Sequence, residues 1–379
     1  MSRVLLVGLG ADIGSNLLYL SATGDFGCGI TEVLTNPIAV EETGSRNRTA
    51  LDELAARLVL AQPDLIGRIT TDPTTGTLAL DGRRFRIHFR EFESDLDDLG
   101  KFDVAVLATS RSHIRSARHL SRLEKIADTV LGVAENPEID AIYPALATVP
   151  ADHLANATTH RTGTLRGSYA LGSCQCAGWT TGLRVLADYC ASKGFRLGDV
   201  LVHSEVDIVH PDTASSNFGT KRIGARTEDP RDNLRPGKSQ VSESMQRMRP
   251  ATSFNSVSLR VLTQPPGFQI QRFFLRIEPT RAGLLDAATD LARREPRQVM
   301  VSRSPIGSRA YAAMRCSTAL LTCEEHLRIQ RIGAITEVVM QAFVHNTLGY
   351  CAAILDTVDR ILGSSSVTVV GSLHESKGR

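Results

Sequence analysis

The sequence has no excess of charge of either sign: 43 Lys and Arg face 41 Asp and Glu, a formal net charge of +2. A protein that binds nucleic acid through its phosphates needs a basic excess, so no nucleic-acid partner is expected. The chain also lacks any run of about 18 apolar residues, the length that crosses a bilayer as a helix. We therefore expect no membrane partner either.

Two further features are not expected: a signal peptide and a disulfide framework. The apolar stretch at 4–7 is too short for the core of a signal peptide and meets Gly8 at once, which favours a cytoplasmic protein. The seven cysteines are odd in number and spread over 379 residues, which is typical of reduced thiols. A chain of this length, with 42% hydrophobic residues, buries a core without disulfides and predicts two or three domains.

The amino-terminal region does contain a strand, glycine turn and helix. A buried strand is expected at 2–7, followed by the turn Gly8-Leu9-Gly10-Ala11-Asp12-Ile13-Gly14 and then a helix. Glycines in such a turn let the backbone approach a pyrophosphate, and the following helix offers unpaired N–H groups. The spacing is one residue longer than in the usual dinucleotide fingerprint, so a purely structural turn is the alternative.

Alternating strand and helix signals continue to about residue 150. A second strand is predicted at 31–35, a helix at 50–61, a hairpin at Asp81-Gly82 and a buried strand at 102–108. This α/β pattern predicts a nucleotide-binding domain. Its candidate cofactor-binding residues are Gly8, Gly10, Asp12, Ile13, Gly14, Asn36 and Thr109.

The pattern changes after residue 200. Longer strands at 200–209, 256–262 and 268–277 predict a large mixed or antiparallel sheet. The polar segment at 210–250 is too long for a passive connection and is a candidate substrate or interface loop. A final amphipathic helix is expected at about 337–362, followed by a polar tail without regular structure.

Cys174 is the candidate nucleophile. It precedes a helix predicted at 180–191, where helix N–H groups stabilise a thiolate. The next strand carries His203, a candidate base for the thiol. Alternatively, both are ordinary core residues. Cys174 and Cys176 also have the spacing of a metal pair, but no second Cys/His pair at a fitting distance accompanies them, so no metal site is predicted.

Several motifs occur together in one order: Ser173-Cys174, Val202-His203, Asn233-Leu234-Arg235-Pro236 with Pro250, Leu259-Arg260-Val261-Leu262-Thr263, and Asn346-Thr347-Leu348-Gly349-Tyr350. With the hairpin, they resemble the glyceraldehyde-3-phosphate dehydrogenase family over nearly the whole chain, although identity between the motifs is thin. The resemblance implies an α/β protein with a Rossmann-type NAD(P)-binding domain at 1–172, completed by a carboxy-terminal helix at 341–363. An α+β catalytic domain with the large sheet would occupy 173–340, and a polar tail 364–379.

The resemblance also implies roles for individual residues. Cys174 attacks an aldehyde to give a thiohemiacetal, His203 takes the proton, hydride passes to a nicotinamide, and phosphate cleaves the thioester to an acyl phosphate, or the sequence runs in reverse. Asn346 would hold the nicotinamide carboxamide, and Arg260 a substrate or attacking phosphate. The remaining candidate substrate-binding residues are Ser173, Ser239 and Arg231.

The departures from the family concern the substrate. Val206-Asp207-Ile208 stands where the family has phosphate-binding hydroxyls, and Lys238-Ser239-Gln240 replaces its Ser-Thr-Gly, with Ser239 in place of the Thr hydroxyl. The nearby segment is cationic, either as a solvated loop or as an anion site for a carboxylate or a differently placed phosphate. We expect a small anionic aldehyde or acyl phosphate other than glyceraldehyde 3-phosphate. The cationic residues are Arg222, Arg226, Arg231, Arg235 and Lys238.

The choice of cofactor follows from the end of the second strand. Leu34-Thr35-Asn36-Pro37 carries no carboxylate, so NADP is preferred over NAD, with Arg46 and Arg48 as partners for its 2′-phosphate. Glu41 or Glu42 is the missing acid if the strand is longer. The family also implies a homo-oligomer, a tetramer or a dimer. The competing hypotheses are a family member without catalysis that senses a dinucleotide or a partner, and an aspartate-semialdehyde-type or N-acetylglutamyl-phosphate-type reductase.

Overall fold

The computed structural model describes residues 2–9, 12–24, 26–27, 29–38, 49–154, 156–161, 163, 165–211, 234–237, 239–248, 252–261, 263–304, 306–363 and 366–372. These residues form two eight-stranded sheets, one two-stranded sheet and the helices that cover them. The α/β fold class predicted from the sequence is confirmed. Among the described residues, no helix is both long enough and apolar enough to cross a membrane.

The first sheet has a doubly wound strand order. Its members are β1 (Val4–Val7), β2 (Glu32–Thr35), β3 (Ile69–Asp72), β4 (Thr77–Leu80), β5 (Arg83–Phe89), β6 (Phe102–Leu107), β7 (Ala127–Gly132) and β9 (Gly167–Ala170). They lie in the order β3-β4-β5-β2-β1-β6-β7-β9, and the six strands from β5 to β9 are parallel. The chain builds outwards from β1 in both directions, so the topological switch point lies between β1 and β6.

Local signals explain these elements. Every residue of β1 is buried, as expected for a central parallel strand covered on both faces. The hairpin between β4 and β5 turns at Asp81 and Gly82, which have φ of 49° and 80°, the backbone that an Asp-Gly hairpin turn requires. The helices of this half are α1 (Asp12–Thr23), α2 (Ala50–Ala61), α3 (Arg111–Ile114) and α4 (Ala117–Ile126).

The second sheet is mixed, as predicted. It contains β10 (Leu201–Pro211), β11 (Arg235–Gly237), β12 (Ser253–Val261), β13 (Gly267–Leu275), β14 (Val299–Ser302), β15 (Thr318–Leu321), β16 (Leu327–Ile332) and β17 (Ile335–Val344). β10 pairs in parallel with β12 and antiparallel with β13, which in turn pairs with β17. The remaining helices are α5 (Cys174–Ser192), α6 (Leu197–Val200), α7 (Val241–Gln246), α8 (Arg281–Arg294) and α9 (Leu348–Leu362).

One face of β10 packs against α5. The fully buried Trp179 of α5 donates a hydrogen bond to Ser204, at 2.9 Å. Ser204, Val206 and Ile208 are buried, whereas the odd-numbered residues between them are only half-buried. Successive side chains of a strand point to opposite faces, so even-numbered residues of β10 face α5 and odd-numbered residues face away from it.

Two predictions about the carboxy-terminal region are wrong. The final helix begins at Leu348, not near 337 or 341, because 335–344 is the strand β17, bonded to β13, β15 and β16. The predicted polar tail begins with a strand, β18 (Ser366–Val370), which pairs with β8 (Ala157–Arg161) and buries Val367, Val369 and Val370. Residues 364–365 and 373–379 lie outside the described residues.

The helix α9 shares a hydrophobic core with the first sheet. Tyr350, Ile354 and Leu355 are buried in the same cluster as Leu17 and Leu18 of α1. The chain therefore returns to the first sheet after completing the second, and the amino-terminal end of α9 lies at the junction between them.

Candidate functional site

A crevice opens at the carboxyl ends of β1, β2 and β6. It has a volume of about 400 Å³, and it is lined by Gly8, Leu34, Asn36, Phe92, Thr109 and His113 among others. In open α/β sheets, ligands bind outside the carboxyl ends of the strands at the switch point. The structure thus brings three predicted cofactor-binding residues, Gly8, Asn36 and Thr109, to this crevice.

The glycine turn is packed too closely for side chains. Gly8 has a φ of +98°, and a Cβ at Gly14 would lie 2.0 Å from the Gly8 carbonyl oxygen. Asp12, Ile13 and Gly14 form the first turn of α1 directly below the crevice, and the predicted Gly10 lies outside the described residues. The Thr109 hydroxyl is buried and has no hydrogen-bond partner among the described residues. These features fit the phosphate-proximal half of a dinucleotide.

The described residues of the crevice do not test whether NAD or NADP binds, so the preference for NADP stays a prediction. Residues 35–38, at the end of β2 and directly after it, contain no carboxylate, and Glu32 within β2 is held by Arg3 and His88. Arg90 lines the crevice but binds both oxygens of Asp98, at 2.5 and 2.6 Å. Arg46, Arg48, Glu41 and Glu42 lie outside the described residues.

Cys174 lies where three helices begin. It is the first residue of α5, and the preceding Ser173 caps the helix by accepting from the Cys176 N–H at 3.4 Å. The hydroxyl of Tyr350 in α9 donates to the carbonyl of Gly172, and the thiol of Cys351 donates to the carbonyl of Ile13 in α1, at 3.5 Å. The nucleophile candidate therefore sits at the junction of the glycine turn, α9 and the second sheet.

The electrostatics of Cys174 differ from the expectation. Burial raises the pKa of the Cys174 thiol to about 12, and the charge of Glu135 raises it further, while Arg260 acts in the opposite direction. Position at a helix N-terminus was expected to stabilise a thiolate, but desolvation outweighs that effect here. At neutral pH the side chain is a protonated thiol, so it needs a base to become a nucleophile.

The structure does not bring His203 to Cys174. His203 lies near the beginning of β10, on the face that points away from α5, where its Nδ1 donates to the Ser253 carbonyl at 2.9 Å. The first turn of α5 lies at the other end of the strand. A Cβ at Gly267 would lie 2.7 Å from the Val209 carbonyl and 3.5 Å from the Gln175 amide nitrogen. Cys174 is therefore near the carboxyl end of β10.

That end of β10 carries a second histidine. His210 is even-numbered, and no irregularity interrupts the pairing of β10 with β12 between residues 203 and 211, so His210 shares the face of Val206 and Ile208. It is in register with Arg260, whose charge acts on Cys174. The Nδ1 of His210 donates to the Pro211 carbonyl oxygen at 2.9 Å.

The other predicted substrate residues lie around the same junction. The Ser239 hydroxyl accepts from the Val241 N–H at 3.3 Å, just before α7. α7 packs against the start of α5 through Met245 and Cys176, whose sulfurs are 3.7 Å apart. The side-chain amide oxygen Oδ1 of Asn346, two residues before α9, is buried without a hydrogen-bond partner among the described residues. The predicted anion-binding residues Arg222, Arg226, Arg231 and Lys238, and the Arg235 side chain, lie outside the described part of the chain.

Sequence reasoning missed His210 and Glu135. The signal for His210 was present, because Val209-His210 repeats the dipeptide Val202-His203 seven residues later, at the end of the same strand. No comparable signal marks Glu135, which is buried after β7 and paired with Arg111 at 3.2 Å.

No known family model matches the chain, and a search of curated proteins finds no match to it.

Proposed function

We propose that the protein is an NAD(P)-dependent oxidoreductase that interconverts a small anionic aldehyde and an acyl phosphate, or acid, through Cys174. One observation supports this proposal: the start of α5, which carries Cys174, meets α9, whose Cys351 bonds to Ile13 beside the glycine turn, and it also lies near the end of β10, where His210 is in register with Arg260. A nucleophile, a proton acceptor, a cationic group and a cofactor crevice are the parts that this chemistry requires.

Residues on both sides of the junction fit the cofactor. The turn at Gly8 and the start of α1 would receive the pyrophosphate, and Asn36 and Thr109 would contact the adenosine half. The unpartnered oxygen of Asn346 would accept from the carboxamide of the nicotinamide. When bound, the cofactor supplies the acceptor or donor of hydride.

The high pKa of Cys174 gives His210 a defined role. The thiol proton passes to His210 Nε2 as the sulfur bonds to the aldehyde carbon, and the carbonyl oxygen that gains the electron pair then takes this proton back from the imidazolium. In the next step the same hydroxyl proton returns to His210 as hydride leaves the carbon, which yields a thioester. Phosphate attack on the thioester carbonyl releases the sulfur of Cys174 and gives the acyl phosphate. Arg260 holds the anionic group.

A second candidate function is dinucleotide binding without turnover. The observation that favours it is the raised pKa of Cys174, because a protonated and half-buried thiol reacts slowly on its own.

Two measurements on the purified protein test the proposal. NADPH and NADH are titrated while nicotinamide fluorescence is followed, and the protein is then incubated with acetyl phosphate and mapped by mass spectrometry. We expect binding of at least one dinucleotide and an acyl group on Cys174. Acylation should persist in Cys323→Ser, since that half-buried thiol lies on another part of the fold. Dinucleotide binding without acylation would support the second candidate, and failure of both would contradict the proposal.

A further inference from the structure

Three side chains beside the crevice form a cluster that the proposed function does not use. Glu93 follows β5, His113 lies in α3, and His119 lies in the first turn of α4. One ligand-type atom from each, an imidazole nitrogen or a carboxylate oxygen, lies within 4.8 Å of the other two. We refer to these residues as the Glu93–His113–His119 cluster.

Hydrogen bonding accounts for only part of this cluster. His119 Nε2 and Glu93 Oε1 are 3.4 Å apart, longer than the roughly 2.7–2.9 Å of a good charge-assisted hydrogen bond. The Nδ1 atoms of His113 and His119 are both buried and have no hydrogen-bond partner among the described residues. One nitrogen of each imidazole is thus unpaired within the described part of the chain, while the Glu93 carboxylate interacts with a backbone N–H and with His119.

Aromatic packing fixes the two imidazoles in place. The buried Phe92 stacks on His119 with ring centroids 5.1 Å apart and lies 5.5 Å from the ring of His113. The two imidazole centroids are 4.6 Å apart. The nitrogen ligands are therefore pre-positioned, while the exposed Glu93 can adjust its side chain.

The spacing and the donor set both point to a metal ion. Ligand atoms bound at about 2.1 Å to a tetrahedral zinc ion are about 3.4 Å from one another, and the Glu93–His119 pair shows that separation. Two imidazoles and one carboxylate are typical ligands of borderline divalent cations such as Zn²⁺ and Co²⁺. We propose that the Glu93–His113–His119 cluster binds one divalent cation of the zinc class.

The position of the site suggests what the ion would do. The cation would connect the segment after β5 with α3 and α4, and His113 and Phe92 also line the crevice at the switch point. Three protein ligands leave a coordination position for water. The site shares His113 with the crevice but does not involve Cys174, His210 or Arg260, so metal binding can be measured without reference to the proposed oxidoreductase activity.

The test is a titration with Co²⁺, followed by the visible absorption of the ion. The accessible thiols are alkylated beforehand without denaturant, so that no exposed cysteine contributes a ligand; Cys176, Cys190 and Cys351 are fully buried in the core. We expect one equivalent of Co²⁺ per chain, displaced by Zn²⁺, and a loss of affinity of at least about tenfold in both His119→Gln and Glu93→Gln. His160→Gln, on the distant strand β8, is the matched control and should bind like the unchanged protein.

Thermal unfolding provides a second readout. Zn²⁺ should raise the melting temperature of the unchanged protein and of His160→Gln but not that of His119→Gln, provided that all three melt alike without metal. If His119→Gln melts lower without metal, Glu93→Gln takes its place, because Glu93 is exposed. The proposal is overturned if the protein binds no Co²⁺, or if the cluster variants bind it as tightly as the control does.

Discussion

The two large sheets place their functional residues by different rules. In the first sheet, Gly8, Asn36 and Thr109 follow the carboxyl ends of β1, β2 and β6, so strand direction alone brings them to one edge. In the second sheet, the candidate bases lie within a single strand, and the face of each depends on whether its number is odd or even. The first rule can be applied to a sequence, whereas the second needs the register of the strand.

The strand β10 shows how strongly the position of a residue along a strand affects where its side chain lies. His203 and His210 each follow a valine, but seven residues separate them, which puts them on opposite faces and about 23 Å apart along an extended strand. Only His210 is in register with Arg260 and near the first turn of α5. Identical dipeptides in one strand thus have unequal access to Cys174.

The largest expected effect tests the junction between the sheets itself. Cys174→Ser should lower turnover by roughly 10⁴-fold or more, because the hydroxyl cannot replace the thiol in forming and releasing the acyl group. Dinucleotide affinity should stay unchanged, as measured by nicotinamide fluorescence. Cys323→Ser is the control and should keep full turnover. Retained activity in Cys174→Ser would remove the junction from the mechanism.

The next effect tests the two ends of β10 directly. His210→Asn should lower kcat by roughly 10²–10⁴-fold, the usual contribution of a general base, while His203→Asn should leave kcat nearly unchanged. Both variants make the same substitution in the same strand, so steady-state kinetics of the pair compare the two positions. A large loss in His203→Asn with none in His210→Asn would reverse the assignment of the base.

A smaller effect tests the turn of the first sheet. Gly14→Ala places a methyl group 2.0 Å from the Gly8 carbonyl oxygen, which forces the turn and α1 apart. We expect roughly tenfold weaker dinucleotide binding and a loss of unfolding free energy of about 1–3 kcal/mol. Gly307→Ala, where no atom lies within 4 Å of the new methyl, should change neither quantity. Equal binding by both variants would favour a turn without a ligand role.

Elements with clear local signals could be predicted from the sequence, whereas two carboxy-terminal strands with ambiguous local signals depend on distant pairing and could not. The helix Ala50–Ala61 has apolar residues at helical spacing, and the hairpin has its Asp-Gly turn, so the structure confirms both predictions. The segment 335–344 has apolar residues compatible with either a helix or a strand, and its pairing with β13 made it a strand. β18 is likewise stabilised by a partner some 200 residues earlier in the chain.

The candidate site divides in the same way. Cys174 and the glycine turn precede helices, and their positions follow from local sequence. The electrostatic effect of Glu135 on Cys174 depends on how the segment after β7 meets the start of α5, which no local pattern encodes. The Glu93–His113–His119 cluster combines residues of three separate segments, so its spacing along the chain carries no metal-binding signature.

The smallest expected effect concerns Glu135, which follows β7 of the first sheet, and its influence on the pKa of Cys174. The carboxylate of Glu135 raises the pKa of Cys174, so Glu135→Gln should lower that pKa and increase the thiolate fraction at a fixed pH. Because burial is the larger cause, the gain should be modest: about threefold faster alkylation of Cys174 by iodoacetamide at pH 8, with the rate profile shifted to lower pH. Glu124→Gln is the control: it removes an acidic charge from α4, where the Glu124 carboxylate accepts from the Ser168 hydroxyl at 2.6 Å. An equal rate in the two variants would mean that burial alone keeps Cys174 protonated, and activation would then depend entirely on His210.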